Sequence, residues 1–325
     1  MKKLFYTILI SCAFSVISCH GESITKLENG LSAASVKGDY GLDDFLQKGG
    51  ALNDKGVVRF LMEGAGCSII QLPSKDSGYF FGRNFDWNRC NALILTTYPA
   101  SGYASISTVN TDFIKAGAGV PFLSEEMLLR AAVYAPLDGM NEKGLCVSVN
   151  MIQDSATINQ NTGKPGLTTT TVIRMLLDKA GTTQEAIELL EQYDLHASFG
   201  YMVHFAIADA FGKAVAVEYI NNKMTVIETP VLTNFYLAQG EKYGIGTRQS
   251  HERFKVLKAK VEQAASQNFF ADEKSVAKIL ESVSKHNYNE FESTEWSVIF
   301  NQKNLTATYY HREHYDKKWS FTLNK

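Results

Sequence analysis

The residues best suited to nucleophilic chemistry in this chain are its cysteines. The sequence has 325 residues and five cysteines, of which Cys12 and Cys19 lie in a segment that resembles an export signal. Cys67, Cys90 and Cys146 remain, an odd number, so disulfide pairing leaves at least one free thiol. As a thiolate, a free thiol can attack an acyl carbon. The alternative for each of the three is a small, buried apolar residue.

Two charged residues, Arg83 and Asp86, are predicted to lie beside Cys67 in a β-hairpin. The segments 67–72 and 79–87 read as strands separated by turn-forming residues. Alternation along a strand places Arg83 and Asp86 on opposite faces. Both charges therefore meet at one point only if the second strand bends or bulges near them. The alternative is a surface ion pair on an edge strand.

The rest of the sequence alternates between groups of strands and groups of helices. Helices are predicted at 124–134, 168–179, 182–190, 250–264 and 272–284, with strands before, between and after them. Because the strands are grouped in hairpins, the order predicts an α+β fold with antiparallel sheets. Two sheets sandwiched between helix layers fit this order.

The N-terminal part is predicted to direct export. Residues 1–19 combine a basic start with a short apolar run that ends in Val-Ile-Ser-Cys, which resembles a bacterial lipobox with Cys19 as the lipidated residue. The alternative is an ordinary signal peptide. We expect an exported protein, either a lipoprotein of the bacterial cell envelope or a periplasmic or secreted protein.

Residues 20–66 are predicted to form a pro-region. The segments 41–46 and 53–62 have helical spacing, and small residues precede Cys67. We expect a short helical pro-region that is removed by cleavage after Gly66, followed by a catalytic domain over 67–325.

Composition and charge argue against several classes of partner. The net charge is −2 and no basic block occurs, so no nucleic-acid footprint is visible. Membrane contact is expected only through the N-terminal lipid. The chain has no Cys-x-x-Cys pair, and the run 311–314 is not a zinc-protease motif, so we expect neither a metal nor a cofactor. The absence of a Gly-x-Ser-x-Gly elbow disfavours a serine α/β-hydrolase.

Four sequence blocks together resemble the choloylglycine hydrolase, or linear amide C–N hydrolase, family. The first runs from Gly66-Cys67-Ser68 to Gly82-Arg83-Asn84-Phe85-Asp86-Trp87, and the others cover 141–150, 231–234 and 250–254 in family order. The family includes bile-salt hydrolases and penicillin V acylases, with acid ceramidase and N-acylethanolamine amidase as more distant relatives. The resemblance implies a four-layer αββα N-terminal-nucleophile (Ntn) hydrolase fold.

The resemblance also implies the roles of three residues near the cleavage point. Cys67, once it is the first residue, is the nucleophile, and its freed α-amine, with a pKa near ~7.7–8.0, is the base. Arg83 lowers the pKa of the thiol, and Asp86 holds the amine toward the sulfur. Before cleavage the same nitrogen belongs to an amide, so the precursor is expected to be inactive.

Three further residues are implicated by the same resemblance. Asn150 donates to the oxyanion of the tetrahedral intermediate, and Asn234 positions the substrate amide or shares the oxyanion hole. Arg253 pairs with Asp86, although Arg248 is a rival for this role and a solvated helix face is the alternative for Arg253.

The function implied is hydrolysis of a linear, non-peptide amide. Substrates would be small N-acyl amides such as fatty-acid amides, N-acyl amino acids or conjugated bile acids; acyl transfer to an amine stays open. The stretch between Asn234 and Arg253 is shorter than in bile-salt hydrolases, where it carries a loop used in tetramer assembly, so an oligomer is possible without that loop. The alternatives are a Cys–His peptidase using His204 or His251, and a non-catalytic binding lipoprotein.

Overall fold

The computed structural model of the chain describes residues 19–21, 23–50, 66–118, 123–267, 269–288 and 293–323. Its helices are α1 (Leu42–Gln47), α2 (Thr111–Ala118), α3 (Glu125–Val133), α4 (Thr169–Lys179), α5 (Thr183–Leu190), α6 (Arg248–Gln267) and α7 (Glu273–Ser282). Its strands are β1 (Cys19–Gly21), β2 (Thr25–Glu28), β3 (Leu31–Gly38), β4 (Gly66–Pro73), β5 (Tyr79–Trp87), β6 (Ala92–Pro99), β7 (Ser105–Asn110), β8 (Asp138–Asn141), β9 (Cys146–Met151), β10 (Gly166–Thr168), β11 (Asp194–His196), β12 (Val203–Ala208), β13 (Ala214–Ile220), β14 (Lys223–Glu228), β15 (Val231–Leu232), β16 (Ser293–Asn301), β17 (Thr306–His311) and β18 (Trp319–Thr322).

Two large sheets form the centre of the described structure. The ten-stranded sheet has the order β1-β3-β6-β7-β8-β9-β12-β13-β14, with β2 paired to β3. The six-stranded sheet has the order β15-β4-β5-β16-β17-β18, and every pairing within it is antiparallel. The predicted α+β class with antiparallel sheets is therefore confirmed.

Helices cover the outer faces of both sheets. Helix α4 packs on β8 and β9 of the larger sheet, whereas α6 and α7 pack on β4 and β5 of the smaller one. Neighbouring residues of β4 show the layering, because Ile69 joins the core between the sheets and Ile70 joins the core beneath α6 and α7. This arrangement is the predicted four-layer αββα sandwich.

The predicted helix boundaries are accurate where capping residues mark them. Helix α3 begins after Ser124, whose side chain accepts from the Met127 amide, and α5 begins after Thr182, whose side chain accepts from the Glu185 amide. Helix α6 extends further at both ends than predicted. None of the described helices is both long and apolar enough to cross a membrane.

The segment before residue 50 differs from the predicted helical pro-region. Only α1 is helical there, while β3 forms a parallel ladder with β6 in the ten-stranded sheet. Val36, Tyr40 and Leu42 are buried in a core that this segment shares with α3. The helix predicted at 41–46 is present as α1, but the strand at Leu31–Gly38 was missed, because it has no clear alternation and its partner strand lies about sixty residues later in the sequence. Removal of this segment as a pro-region stays a prediction. The predicted helix at 53–62 lies outside the described residues.

Candidate active site

Cys67 occupies the second position of β4, where the two faces of the strand meet different layers. Cys67 pairs with Phe85 of β5, and Gly66 pairs with Asp86. The thiol therefore faces the core between the sheets together with Arg83, whereas Gly66 and Asp86 face the layer of α6.

The predicted bend of β5 near Arg83 and Asp86 is not present on the Cys67 side. The ladder between β4 and β5 is regular, and the irregularity lies in β16, where Glu295 is the extra residue opposite β5. The two charges therefore do not meet at one point. Arg83 lies on the thiol side of Cys67, and Asp86 lies on the side of the Gly66–Cys67 peptide bond.

Arg83 is the cation beside the thiol. Its Nη2 lies 3.8 Å from Cys67 Sγ and donates to the Val149 carbonyl at 2.8 Å. Its Nη1 forms a fully buried ion pair with Asp138 and donates to the Leu137 carbonyl at 3.0 Å. The carbonyls and Asp138 thus fix the guanidinium beside the sulfur.

The environment of the thiol favours its protonated form in the uncut chain. Burial raises the pKa of Cys67 above its ordinary value, and the charge of Arg83, which lowers it, does not offset this effect. Asp86 raises the pKa further. The expected lowering by Arg83 is present, but in the uncut chain the net shift is upward. A base is therefore needed before the sulfur can attack.

The backbone nitrogen of Cys67 is held by a second group of residues. The amide donates to Asn234 Oδ1 at 2.7 Å, and the same oxygen accepts from Arg253 Nη2 at 3.2 Å. Arg253 Nη1 donates to Asp86 Oδ2 at 3.0 Å and to the Cys67 carbonyl at 2.9 Å. In the uncut chain it is thus Asn234, not Asp86, that accepts from this nitrogen.

Arg253 is buried, so its interpretation as part of a solvated helix face was wrong. It is only 1% exposed, whereas the side chain of Arg248 is 84% exposed and lies 3.4 Å from Glu252. Arg253 therefore occupies the position next to Asp86, and Arg248 lies apart from it on the surface of α6.

Asn150 is linked to the residues that hold the Cys67 nitrogen through the backbone carbonyl of Thr233. Its Nδ2 donates to the Thr233 carbonyl at 2.9 Å, and Asn234 is the next residue along the chain. The amide of Asn234 donates from Nδ2 to the Met151 carbonyl at 2.7 Å, which ties the segment 233–234 to the end of β9. Of the six predicted site residues, five form one contact network around Cys67, and Asn150 joins it through Thr233.

Three polar residues of this region were not predicted from the sequence. Asp138 is the buried counter-ion of Arg83 and also accepts from Trp296 Nε1 at 2.9 Å. Thr294 donates to Asp86 Oδ1 at 2.7 Å. Lys285 is 2% exposed, and its positive charge opposes the rise that burial causes in the pKa of Asp86. Each comes from a segment whose sequence suggests only a turn, a strand or a helix end.

The ring nitrogens of both candidate histidines contact oxygen atoms elsewhere in the structure rather than the thiol. His204 is fully buried, and its two ring nitrogens lie 3.1 Å from Glu218 Oε1 and 2.8 Å from the Thr233 carbonyl. His251 Nε2 lies 2.9 Å from the Gly244 carbonyl. These contacts do not provide the thiol–imidazole pair that a Cys–His peptidase needs.

An apolar pocket opens at the thiol. Its cavity volume is about 80 Å³, and Cys67 forms part of its wall. Among the described residues, its lining contains no charged side chain and is dominated by apolar and aromatic groups, including Phe85, Trp87, Phe113, Leu137, Val149 and Tyr201. Such a pocket suits an uncharged acyl group.

The chain resembles known proteins in both sequence and fold. The sequence model described as acyl-coenzyme A:6-aminopenicillanic acid acyl-transferase matches residues 128–315, more than half of the chain. A bile salt hydrolase/transferase from Clostridium perfringens is 26% identical over 182 residues, which cover 52% of this chain and 53% of that protein. The chain thus spans about half the length of the curated relative that it matches.

Two solved structures share the fold. Both are variants of the conjugated bile acid hydrolase from Clostridium perfringens, with TM-scores of 0.59 and 0.58 and sequence identities of 17% and 16%. Each alignment covers 79% of this chain and 92% of the other.

These findings place the chain in the Ntn-hydrolase fold class. The chain belongs to the acyl-coenzyme A:6-aminopenicillanic acid acyl-transferase family. The predicted relationship to the choloylglycine hydrolases is confirmed as well.

Proposed function

We propose that this protein is a self-processed cysteine amidase that hydrolyses linear N-acyl amides with an apolar acyl group. One observation carries the proposal. The Cys67 thiol faces an apolar pocket and Arg83, while the nitrogen of the same residue is held by Asn234. Cleavage at that nitrogen would place a base and a nucleophile on one residue, beside a site for an acyl chain.

The first reaction in this proposal is cleavage of the chain itself. The thiol adds to the Gly66 carbonyl carbon, and the bond from that carbon to the Cys67 nitrogen breaks as the nitrogen takes up a proton. Gly66 is then linked to the sulfur as a thioester. Water hydrolyses the thioester and leaves a Gly66 carboxylate, a free thiol and a free α-amine.

Turnover would then use the same groups on an external amide. The α-amine takes the thiol proton, the thiolate adds to the substrate carbonyl, and the resulting ammonium returns a proton to the departing amine. Water next attacks the acyl-thioester, with the α-amine again as the base. Asn150 has two amide protons, of which one is donated to the Thr233 carbonyl, so the second can serve the oxyanion.

The acyl group of the thioester can pass to one of two acceptors, water or an amine. The name of the matching family raises acyl transfer as a second function, in which an amine rather than water attacks the thioester. Adding a free amine to the assay separates the two, because transfer yields a new amide whereas hydrolysis yields the free acid.

The decisive experiment combines intact mass with substrate release. The purified protein should have an N-terminus at Cys67, and it should release amine from N-acyl amides with long apolar acyl groups faster than from N-acetyl analogues. A panel of N-acyl amino acids, N-acylethanolamines, conjugated bile acids and penicillin V covers the candidate classes. An active protein in which residue 67 is still joined to residue 66 would contradict the mechanism.

Replacing Gly66 with alanine is expected to slow self-cleavage by about tenfold or more, because small displacements of reacting atoms are costly. An added Cβ would lie 2.7 Å from Asp86 Oδ2 and 2.9 Å from Lys285 Cε, so either the scissile peptide or the side chains packed against it must shift. The measurement is the rate of conversion from precursor to mature mass. Gly117→Ala is the control, since no atom lies within 4 Å of its added Cβ. Cleavage of Gly66→Ala at the unaltered rate would show that the tight packing is irrelevant to the reaction.

The N-terminal fragment is expected to stay bound after cleavage. Strand β3 lies inside the ten-stranded sheet, and Tyr40 donates to the buried carboxylate of Asp178. Native size-exclusion chromatography followed by mass spectrometry should find residues 23–50 co-eluting with the large fragment.

A substitution in the buried face of β3 should release this fragment. Val36→Asp places a charge in a core position that is 1% exposed, whereas Lys37→Asp introduces the same residue at an exposed position of the same strand. Only the first variant should lose the fragment. Elution of the large fragment alone in the unaltered protein would contradict this expectation.

Export and lipidation complete the proposal. We propose that the protein is exported and that Cys19, the first residue of β1, carries the lipid. If the fragment stays bound as described above, cleavage after Gly66 would leave the enzyme anchored. The mass of the N-terminal fragment from a membrane fraction tests this.

A further inference from the structure

The buried histidine His204 is an ionisable group for which the proposed reaction has no chemical use. It lies on β12, directly opposite Asn150 of β9, and is fully buried. Its Nδ1 lies 3.1 Å from Glu218 Oε1, and its Nε2 lies 2.8 Å from the Thr233 carbonyl oxygen. A buried ring with two oxygen neighbours is costly to bury unless both contacts are hydrogen bonds.

Both oxygen neighbours of the His204 ring are hydrogen-bond acceptors, so each ring nitrogen needs a proton of its own to bond to them. The Thr233 carbonyl cannot donate, and Glu218 already accepts from the backbone amides of Leu237 and Ala238 at 2.8 and 2.9 Å. A neutral imidazole has only one N–H, so two satisfied contacts require the doubly protonated ring. Burial alone raises the pKa of Glu218, but the hydrogen bond and charge of His204 and the two amides hold it below its ordinary value.

The Thr233 carbonyl is the point where this buried pair reaches the candidate active site. The oxygen accepts from His204 Nε2 and from Asn150 Nδ2, which lies at 2.9 Å. The residue that follows, Asn234, holds the Cys67 nitrogen at 2.7 Å. One carbonyl thus links the proposed oxyanion donor with the residue that holds the future amine.

Glu218 secures the other end of the same segment. Its two oxygens accept from the amides of Leu237 and Ala238, while His204 holds Thr233, so the pair clamps the segment 233–238 at both ends. Asn234 lies between these two points.

We propose that His204, as an imidazolium paired with Glu218, is a positioning residue that holds the Thr233 carbonyl and thereby orients Asn150 and Asn234 around Cys67. The expected loss of kcat rests on the proposed function, whereas the protonation of His204 and its contact with the Thr233 carbonyl do not. His204 does not line the acyl pocket, although its neighbour Val203 does. Loss of the histidine should therefore disturb the chemical step and leave binding of the acyl group in place.

The kinetic test compares two substitutions in the mature, self-cleaved enzyme. His204→Leu should lower kcat by about 10- to 100-fold, the range for loss or misplacement of a positioned group, with KM changed less than twofold. His204→Gln should recover part of this loss, because its amide N–H can still donate to the Thr233 carbonyl. His314→Gln, at an exposed histidine, is the control and should match the unaltered enzyme. Circular dichroism gives the folded fraction by which each rate is corrected.

The spectroscopic test does not depend on activity. In protein labelled with ¹⁵N-histidine at pH 7, one buried histidine should show directly bonded protons on both ring nitrogens, and this signal should vanish in His204→Gln. A ring with a bare Nδ1 would overturn the proposal even if the enzyme is active. Conversely, an inactive protein with the doubly protonated ring would refute the amidase function while leaving the assignment of the clamp intact.

A second variant keeps the proposal testable if His204→Leu does not fold. Glu218→Gln retains the shape of the side chain and removes its charge, so it should also lower kcat with KM nearly unchanged. Full kcat in folded Glu218→Gln would overturn the positioning role, as would full kcat in His204→Leu where that variant folds.

Discussion

Replacing Cys67 with alanine is expected to leave the chain uncut and to abolish amide hydrolysis. Without the sulfur, nothing can add to the Gly66 carbonyl, so the α-amine is never released. The substitution thus removes nucleophile and base together, and turnover should fall by at least about 10⁴-fold, as it does when a catalytic nucleophile is lost elsewhere. Intact mass gives the state of the Gly66–Cys67 bond, and amine release from an N-acyl substrate gives the rate.

The other buried cysteines provide the matched controls. Cys90 and Cys146 are also free and buried, and burial raises the pKa of each thiol as it does that of Cys67, but neither lines the apolar pocket. Cys90→Ala and Cys146→Ala should be cut and should retain turnover per folded molecule. Processing or activity in Cys67→Ala would assign the chemistry to another group and refute the proposed mechanism.

The sequence was sufficient to predict the hairpin that carries Cys67 because local signals specify it. Two short runs rich in β-branched and aromatic residues, separated by a turn-rich segment, define β4 and β5 without reference to the rest of the chain. Capping residues such as Thr182 and Asp272 did the same for the helix starts. By contrast, β3 could not be predicted, since its place is decided by a parallel pairing with the distant β6.

The candidate site was predictable only as far as residue types show their chemistry. Cys67 and its charged neighbours on β5 stand in one hairpin, so their proximity follows from local structure. The burial of Arg253 depends on how α6 docks against β4, and the sequence of α6, with several lysines, suggests a solvated helix. Asp138 was missed for the same reason, because it becomes the counter-ion of Arg83 only when the two sheets pack together.

Replacing Asp138 with asparagine is expected to destabilise the fold strongly and to make the thiol easier to ionise. Arg83 and Asp138 form an ion pair with both side chains fully buried. Removing one partner of such a pair costs about 3–5 kcal/mol, since the other charge is left uncompensated. Urea unfolding in the Cys67→Ala background, where the chain should stay whole, measures this loss against Cys67→Ala alone.

The effect on the thiol follows from the sign of the charges. Asp138 offsets the positive charge of Arg83, whose influence lowers the pKa of Cys67. Once Asp138 is neutral, the thiolate should be better stabilised, so the pH profile of alkylation by iodoacetamide should move to lower pH in the protein that retains Cys67. Only a folded protein can report this shift, which is why the assay belongs at low denaturant and moderate temperature.

A second buried pair separates the charge effect from simple loss of stability. Arg174 and Asp178 are likewise fully buried, but they contact Tyr40 and Ser105 rather than Cys67. Asp178→Asn should therefore destabilise the protein to a similar degree while leaving the alkylation profile where it was. If Asp138→Asn also leaves that profile unchanged, Arg83 does not act on the sulfur, and its role reduces to the ion pair. The double substitution Arg83→Met and Asp138→Leu should then recover stability and activity together, whereas the proposed mechanism expects it to recover stability alone.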